Sequence, residues 1–241
     1  MHVDFGKAFS YIFDDPKWFD KVIIPILYGL IPIIGWLVVL GYMMRVTRNV
    51  ASHMEQPLPI CNFGEDLGLG FKYFIVSLVY GLVPVFLIWL MAICGALLAS
   101  NVARVLPIFG IALLGLLMIA YVIFLALALP VVQANVALKN TIGAGFEFKH
   151  IFGMLGKNIS AWLLVVGGSI LGSMIAPIGF IAFGIGVIFT QMYAQLIVAD
   201  LEGQAYAVSQ PEVVVVNPIG ESPAETPIEA PDETPKAGTS E

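Results

Sequence analysis

YFIVSLVYGLVPVFLIWLMAICGALL, residues 73–98, carries no charge over 26 positions. As helix it would be roughly 39 Å long, more than the hydrocarbon thickness of a bilayer. Pro107 to Pro130 repeats the pattern, PIFGIALLGLLMIAYVIFLALALP. Between Asp66 and Glu147 there is no acidic residue, and the bases are Lys72, Arg104 and Lys139 alone. Such a stretch cannot present a surface to water, so lipid must cover it. The whole chain agrees: 59% of its 241 residues are hydrophobic and 12% charged, about half the charge of a soluble domain.

Outward from this pair, the apolar run Val22–Met44 contains Leu30-Ile31-Pro32-Ile33-Ile34-Gly35 at its centre. A Pro and a Gly three apart either kink one helix or turn a hairpin. Ala161–Val198, 38 residues, is too long for one span and is broken at Ala176-Pro177-Ile178-Gly179, so two spans are expected there. Ahead of the first run, residues 4–14 place Phe5, Phe9, Ile12 and Phe13 on one helical face and Asp4, Lys7, Ser10 and Asp14 on the other, an interfacial amphipathic helix. Asp15-Pro16 then reads as N-cap and first turn of a helix, with Trp18 suited to the headgroup level.

Parts of this order recur. Phe9-Ser-Tyr-Ile12-Phe13 returns as Phe148-Lys-His-Ile151-Phe152, each followed within five residues by a lysine, Lys17 or Lys157, and then by an apolar stretch with a Pro/Gly break. The repeat predicts two Pro/Gly-broken helical hairpins flanking the central pair. The fold expected is all-α, a polytopic transmembrane helix bundle of about six membrane segments, with five as the alternative.

Charge orients it. With six segments, Lys7, Lys17, Lys21, Arg45, Arg48, Lys72, Lys139, Lys149 and Lys157 share one side and Arg104 stands on the other, so both termini are expected in the cytoplasm and the protein in the cell membrane. Residues 1–209 form the expected membrane domain. Residues 210–241 form an acidic, proline-rich tail with seven carboxylates against Lys236, net −6, and a composition that predicts disorder. No basic cluster points to nucleic acid.

Chemistry is sparse. Asp14 and Asp15 are better read as capping than as a metal pair, and Gly64-Glu-Asp-Leu-Gly68-Leu-Gly70 as close helix packing than as a phosphate loop. His53 and His150 are too scattered to nominate a metal site. No catalytic residue, cofactor site or metal site is expected. Cys94 reads as a packing residue. What remains polar near the bilayer is Gln133 and Asn135 after the third span and Thr190, Gln191 and Gln195 in the last, read either as interhelical glue or as a polar substrate site. Gly168 and Gly172 make a G-x-x-x-G face for another helix, within the chain or from a partner.

Asp15-Pro16-x-Trp18, Ile31-Pro32-x-x-Gly35, Gly41-Tyr42-x-x-Arg45 and Leu58-Pro59 together carry a resemblance. The chain resembles a prokaryotic multi-pass membrane family known only as a domain of unknown function, number four-zero-one-three, most strongly over residues 5–72 and more loosely to Tyr206. The resemblance implies a bacterial or archaeal membrane protein and brings no activity with it. Two functions are expected as alternatives. One is a non-enzymatic scaffold or subunit contacting lipid, other membrane proteins or its own copies. The other is a small-solute transporter or channel with a polar site near Gln191 and Gln195.

Overall fold

The computed structural model describes residues 3–100, 105–175, 177, 179 and 186–210. The Asn101–Arg104 connection, most of the break around Pro177 and the acidic tail therefore lie outside the described residues. Eight α-helices follow in order: α1 Lys7–Asp14, α2 Trp18–Gly29, α3 Ile34–Ala51, α4 Phe63–Ala99, α5 Val105–Lys139, α6 Phe148–Lys157, α7 Ile159–Ile175 and α8 Gly186–Ser209. Among the described residues there is no strand.

The break at Pro32 is a hairpin, not a kink. Gly29 lies against Val39, and a Cβ on Gly35 would stand 1.7 Å from the Tyr28 carbonyl oxygen, so α2 and α3 run back to back. Glycine makes the same close approach possible along the rest of α3. A Cβ on Gly41 would be 1.8 Å from the Asp66 carbonyl oxygen, and one on Gly70 would be 1.9 Å from that of Leu37, which seats α4 directly on the α3 backbone. A Cβ on Gly203 would be 2.6 Å from the Thr47 carbonyl oxygen, which seats α8 on a further face. α3 is thus the central helix, touching α2, α4 and α8 at backbone distance.

Gly168 and Gly172 are both buried and face α8, where added Cβ atoms would meet Leu201 at 2.3 Å and Ala194 at 3.3 Å. Their packing partner is in the same chain. Helix α1 also docks on α8: the Tyr11 hydroxyl donates to the Leu196 carbonyl (2.9 Å) and the Tyr193 hydroxyl to that of Phe9 (2.9 Å). The expected apolar face holds for Ile12, which is buried, and for Phe5 and Phe9, which pack on the core; Phe13 instead points outward, edge-on to Trp18. Helix α2 starts later than expected, at Trp18 with Lys17 rather than Asp15 at the N-cap position and no side-chain cap bond; the buried Asp15 carboxylate instead accepts the Lys17 N–H (2.9 Å) and pairs with Lys21 (2.6 Å) just ahead of the helix.

Helices α4 and α5 have 37 and 35 residues and pair antiparallel along their lengths. Lys72 donates to Asn140 near one end, the Tyr121 hydroxyl to the Tyr80 carbonyl midway (2.7 Å), and Gly110 faces Cys94 towards the other end. Both overrun the apolar stretches from which they were expected, because each continues for two turns or more as a polar, packed helix. Beyond Tyr80 no residue of α4 is buried, and none of α5 is buried between Ile108 and Leu127.

These two are the described helices long and apolar enough to cross a membrane; α6 with α7 makes a third if that pair, bent by 94°, is counted as one span. The remaining expected segments fall short. Helix α2 has 12 residues and α7 has 17, while Arg45 and Arg48 dilute α3 and Asp200 and Glu202 dilute α8. Their helices run past the apolar stretches into polar sequence, which a count of apolar runs does not see.

Candidate functional site

At the end of the bundle where α3, α5 and α8 finish and α4 begins, polar side chains are buried between the helices. Asn62 starts α4 by accepting the Glu65 N–H (3.4 Å), and Asp66 reaches back to the Asn62 N–H (2.8 Å). That reciprocal cap fixes the Asp66 carboxylate where α4 meets α3, one turn past the Gly41 contact. Arg45 then pairs with it bidentately, Nε to Oδ1 at 2.5 Å and Nη2 to Oδ2 at 2.9 Å. Its remaining donors go to the Ile60 carbonyl (2.7 Å) and to Glu65 (3.3 Å), and Arg48 holds the other Glu65 oxygen (3.1 Å). With its fork occupied, Arg45 clamps α3 to α4 and the loop between them. Cys61 sits beside this pair; burial pushes its thiol up to about 12, and the neighbouring Asp66 carboxylate adds to the shift, so it is not a reactive thiolate.

A second cluster joins α3, α5 and α8. Glu202, beyond the apolar end of α8 at Val198, is 3% exposed and accepts hydrogen bonds from Gln133 (2.9 Å) and Thr47 (3.4 Å). Burial raises its carboxyl to about 8 against the opposing effect of those two bonds, so near neutral pH it keeps its proton. Asn135, fully buried, donates to the Ala144 carbonyl (2.8 Å) and accepts from the Tyr206 hydroxyl (3.4 Å). Glu147 pairs with Lys139 at the edge of this cluster, and that lysine holds its carboxyl below the usual range. Asp200 is raised to about 6 by burial, its oxygen held by Gln204, which also bonds Asp4 ahead of α1. The Tyr42 hydroxyl, buried at the centre, has no hydrogen-bond partner among the described residues.

Gln133 and Asn135 therefore belong to this layer. Thr190 bonds back to the Gly186 and Val187 carbonyls within its own helix. Gln191 and Gln195 are exposed and line a groove with Trp36, Val39 and Met43 between α8 and the α2–α3 hairpin. The five polar residues thus fall into separate places. Sequence reading did not find Arg45 with Asp66, 21 residues apart, or Glu202 with Gln133, 69 apart. A signal for the second existed: Asp200 and Glu202 follow the last apolar block with no Lys or Arg between Lys157 and Lys236.

Among the described residues no group of three or more His, Cys, Asp or Glu is placed to hold a metal ion. The layer is a set of satisfied, buried clamps with a proton-holding carboxyl in it. A family profile described as a protein of unknown function (DUF4013) matches residues 24–190, beginning inside α2 and ending early in α8, a narrower range at both ends than the motifs implied. No curated protein and no solved structure matches the chain.

Proposed function

Because the chain belongs to the DUF4013 family, whose profile covers more than two thirds of it, we propose that it is a non-enzymatic membrane scaffold or subunit, contacting lipid and other membrane proteins or its own copies. The observation that carries this reading is the outer half of the α4–α5 hairpin. From Gly81 to Ala99 and from Ile108 to Ala120 none of its residues is buried, and it displays Phe86, Ile88, Trp89, Leu113, Leu116 and Ile119. Surface of this extent and apolarity is stable only against acyl chains or another apolar helix.

The orientation follows from charge. The bases from Lys7 to Lys157 other than Arg104 gather at the end of the bundle that carries the polar layer, α1 and the end of α8, which favours a cytoplasmic placement of that end and of the acidic tail. Three hairpins, six membrane segments in all, then rise from the cytoplasmic side and return to it. Purification of the full chain in mild detergent, followed by native mass spectrometry, tests the reading. Retained lipid, self-association or co-purifying membrane proteins are expected, and a monodisperse, lipid-free monomer overturns it.

The second reading, a small-solute transporter or channel, rests on the groove beside Gln191 and Gln195, which share one face of α8 four residues apart. Ion or solute flux in proteoliposomes that disappears in the Gln191→Leu/Gln195→Leu double variant would establish it.

A further inference from the structure

The three hairpins differ in reach. Helix α3 begins beside Phe74 of α4, where the Trp36 and Phe74 rings are 6.1 Å apart and the Leu37 carbonyl meets Gly70. From Phe74, α4 continues for 25 residues to Ala99, about 37 Å of helix with no α3 beside it. Helix α7 goes somewhat further, its Ser173 sharing a surface recess with Val122 of α5, but α5 still runs 17 residues, about 25 Å, from Val122 to its start at Val105. One leaflet of hydrocarbon is only about 15 Å deep. The start of α3 and the end of α7 at Ile175 thus both lie with more than a leaflet of α4–α5 still ahead of them.

The α2–α3 tip is built for lipid. The α2–α3 turn is Leu30-Ile31-Pro32-Ile33-Ile34, five apolar residues, with Leu30, Ile31, Ile33 and Ile34 exposed and Ile33 at 77%. A turn that ends in water is normally polar, rich in Gly, Asn, Asp and Ser. This one also closes most of its own backbone N–H bonds. The N–H groups of Leu30, Ile31 and Gly35 donate to the Leu27, Tyr28 and Ile31 carbonyls, and Ile34 donates to Pro32 (2.8 Å) across a γ-turn with Ile33 at φ 65. Proline has no N–H to leave unpaired. Of the turn's N–H groups only that of Ile33 finds no partner, so the turn meets most of what hydrocarbon demands of a backbone, even at the strain of a positive φ on a β-branched residue. In sequence, residues 174–189 likewise contain no polar side chain, whereas the far end of the α4–α5 hairpin reads Ser100-Asn101-Val102-Ala103-Arg104.

We propose that α2–α3 and α7 with α8 are re-entrant wedges confined to the leaflet on the side of the termini, that α4–α5 alone crosses the bilayer, and that this cross-section, six helices in one leaflet and two in the other, makes the protein sort to and stabilise membrane that is convex on the termini side. The proposal rests on the membrane placement given above but on no partner, so the loss of every protein partner would leave it intact.

Two measurements on the full-length chain, with Cys61 and Cys94 replaced by serine, test it. First, single cysteines at Ile33→Cys and Ala103→Cys are probed in intact expressing cells and in opened membranes with a membrane-impermeant maleimide; Leu30→Cys is a second reporter in the same turn. Position 103 is expected to label from outside, and positions 30 and 33 from neither side. An environment-sensitive fluorophore placed on 33 in detergent should, after reconstitution, be quenched best by lipids spin-labelled deep in the acyl chain. Labelling of 33 from outside together with 103 overturns the wedge. Second, Ala230→Cys in giant phosphatidylcholine vesicles is labelled with an impermeant dye, so that only molecules with outward-facing tails are seen. Severalfold enrichment of dye in tubes pulled outward from the vesicle supports the proposal, and equal density on tube and vesicle overturns the curvature function.

Discussion

Between Phe63 and Tyr80, α4 lies on the α3 backbone at two glycines and is clamped there by Arg45. Between Gly81 and Ala99 the same helix meets little of its own chain beyond α5, and Cβ atoms added at Gly81 or Gly95 would find nothing within 4 Å. One half is specified by its neighbours atom by atom, the other by hydropathy alone. Substitutions of the same chemical kind should therefore have very different effects along one continuous helix.

The largest effect is expected at the backbone contact. Gly41→Leu forces a side chain into the Asp66 carbonyl, with no flexible group able to yield, and should cost at least the ~3 kcal/mol at the upper end of overpacking. The measurement is the yield of monodisperse protein by fluorescence-detected size exclusion; normal yield would mean that α4 does not sit on α3 as described. Next comes the clamp. Arg45→Met leaves Asp66 buried without its cation and should cost about 3–5 kcal/mol, whereas Arg45→Met/Asp66→Leu should recover most of the loss. A double variant no better than the single one in thermal midpoint would contradict a buried pair.

Glu202 sharpens the contrast through pH. Its folded value, about 8, lies above the ordinary 4.5, so between those two values the folded state holds a proton that the unfolded state has released. Stability from this group is therefore highest below 4.5 and falls as pH rises towards 8. The thermal midpoint in detergent should drop between about pH 6 and about pH 8, and Glu202→Gln should remove most of that slope. Smaller still, Tyr42→Phe removes a buried hydroxyl that has no partner among the described residues and should stay within about 1 kcal/mol of the parent, on the stabilising side. Smallest is Gly81→Ala in the outer half, a gain of at most about 1 kcal/mol from helix propensity. A loss as large as that at Gly41 would reveal a neighbour on this face.

What the sequence made legible divides along the same line. Uniform hydropathy locates α4 and α5 and helical period the amphipathic α1 and α6, while the Pro/Gly pair marks the break at Pro32, which the repeat reads as a hairpin. The Gly168/Gly172 face could be read as packing, though only the structure says that α8 fills it. The polar layer was not legible, because its members come from distant parts of the chain and each has a sufficient local explanation. Arg45 and Arg48 read as topology signals, Gln133 as interhelical glue or part of a substrate site, and Glu65 and Asp66 as members of a glycine-rich run packed close to another helix. Only their convergence between packed helices changes their meaning. The reach of the short hairpins was hidden for a related reason: an apolar run gives a length, not the level at which its neighbour stops.

The position of α3 at the centre has a consequence in time. Its Thr47 face is completed by Gly203 and Glu202 of α8, and the first residue of α8 follows the last of α3 by 135 positions. At ordinary rates of synthesis the ribosome needs on the order of ten seconds to add that much chain. Throughout that interval the innermost surface of α3 waits uncovered, and the helix that closes it is among the last parts of the described bundle to emerge.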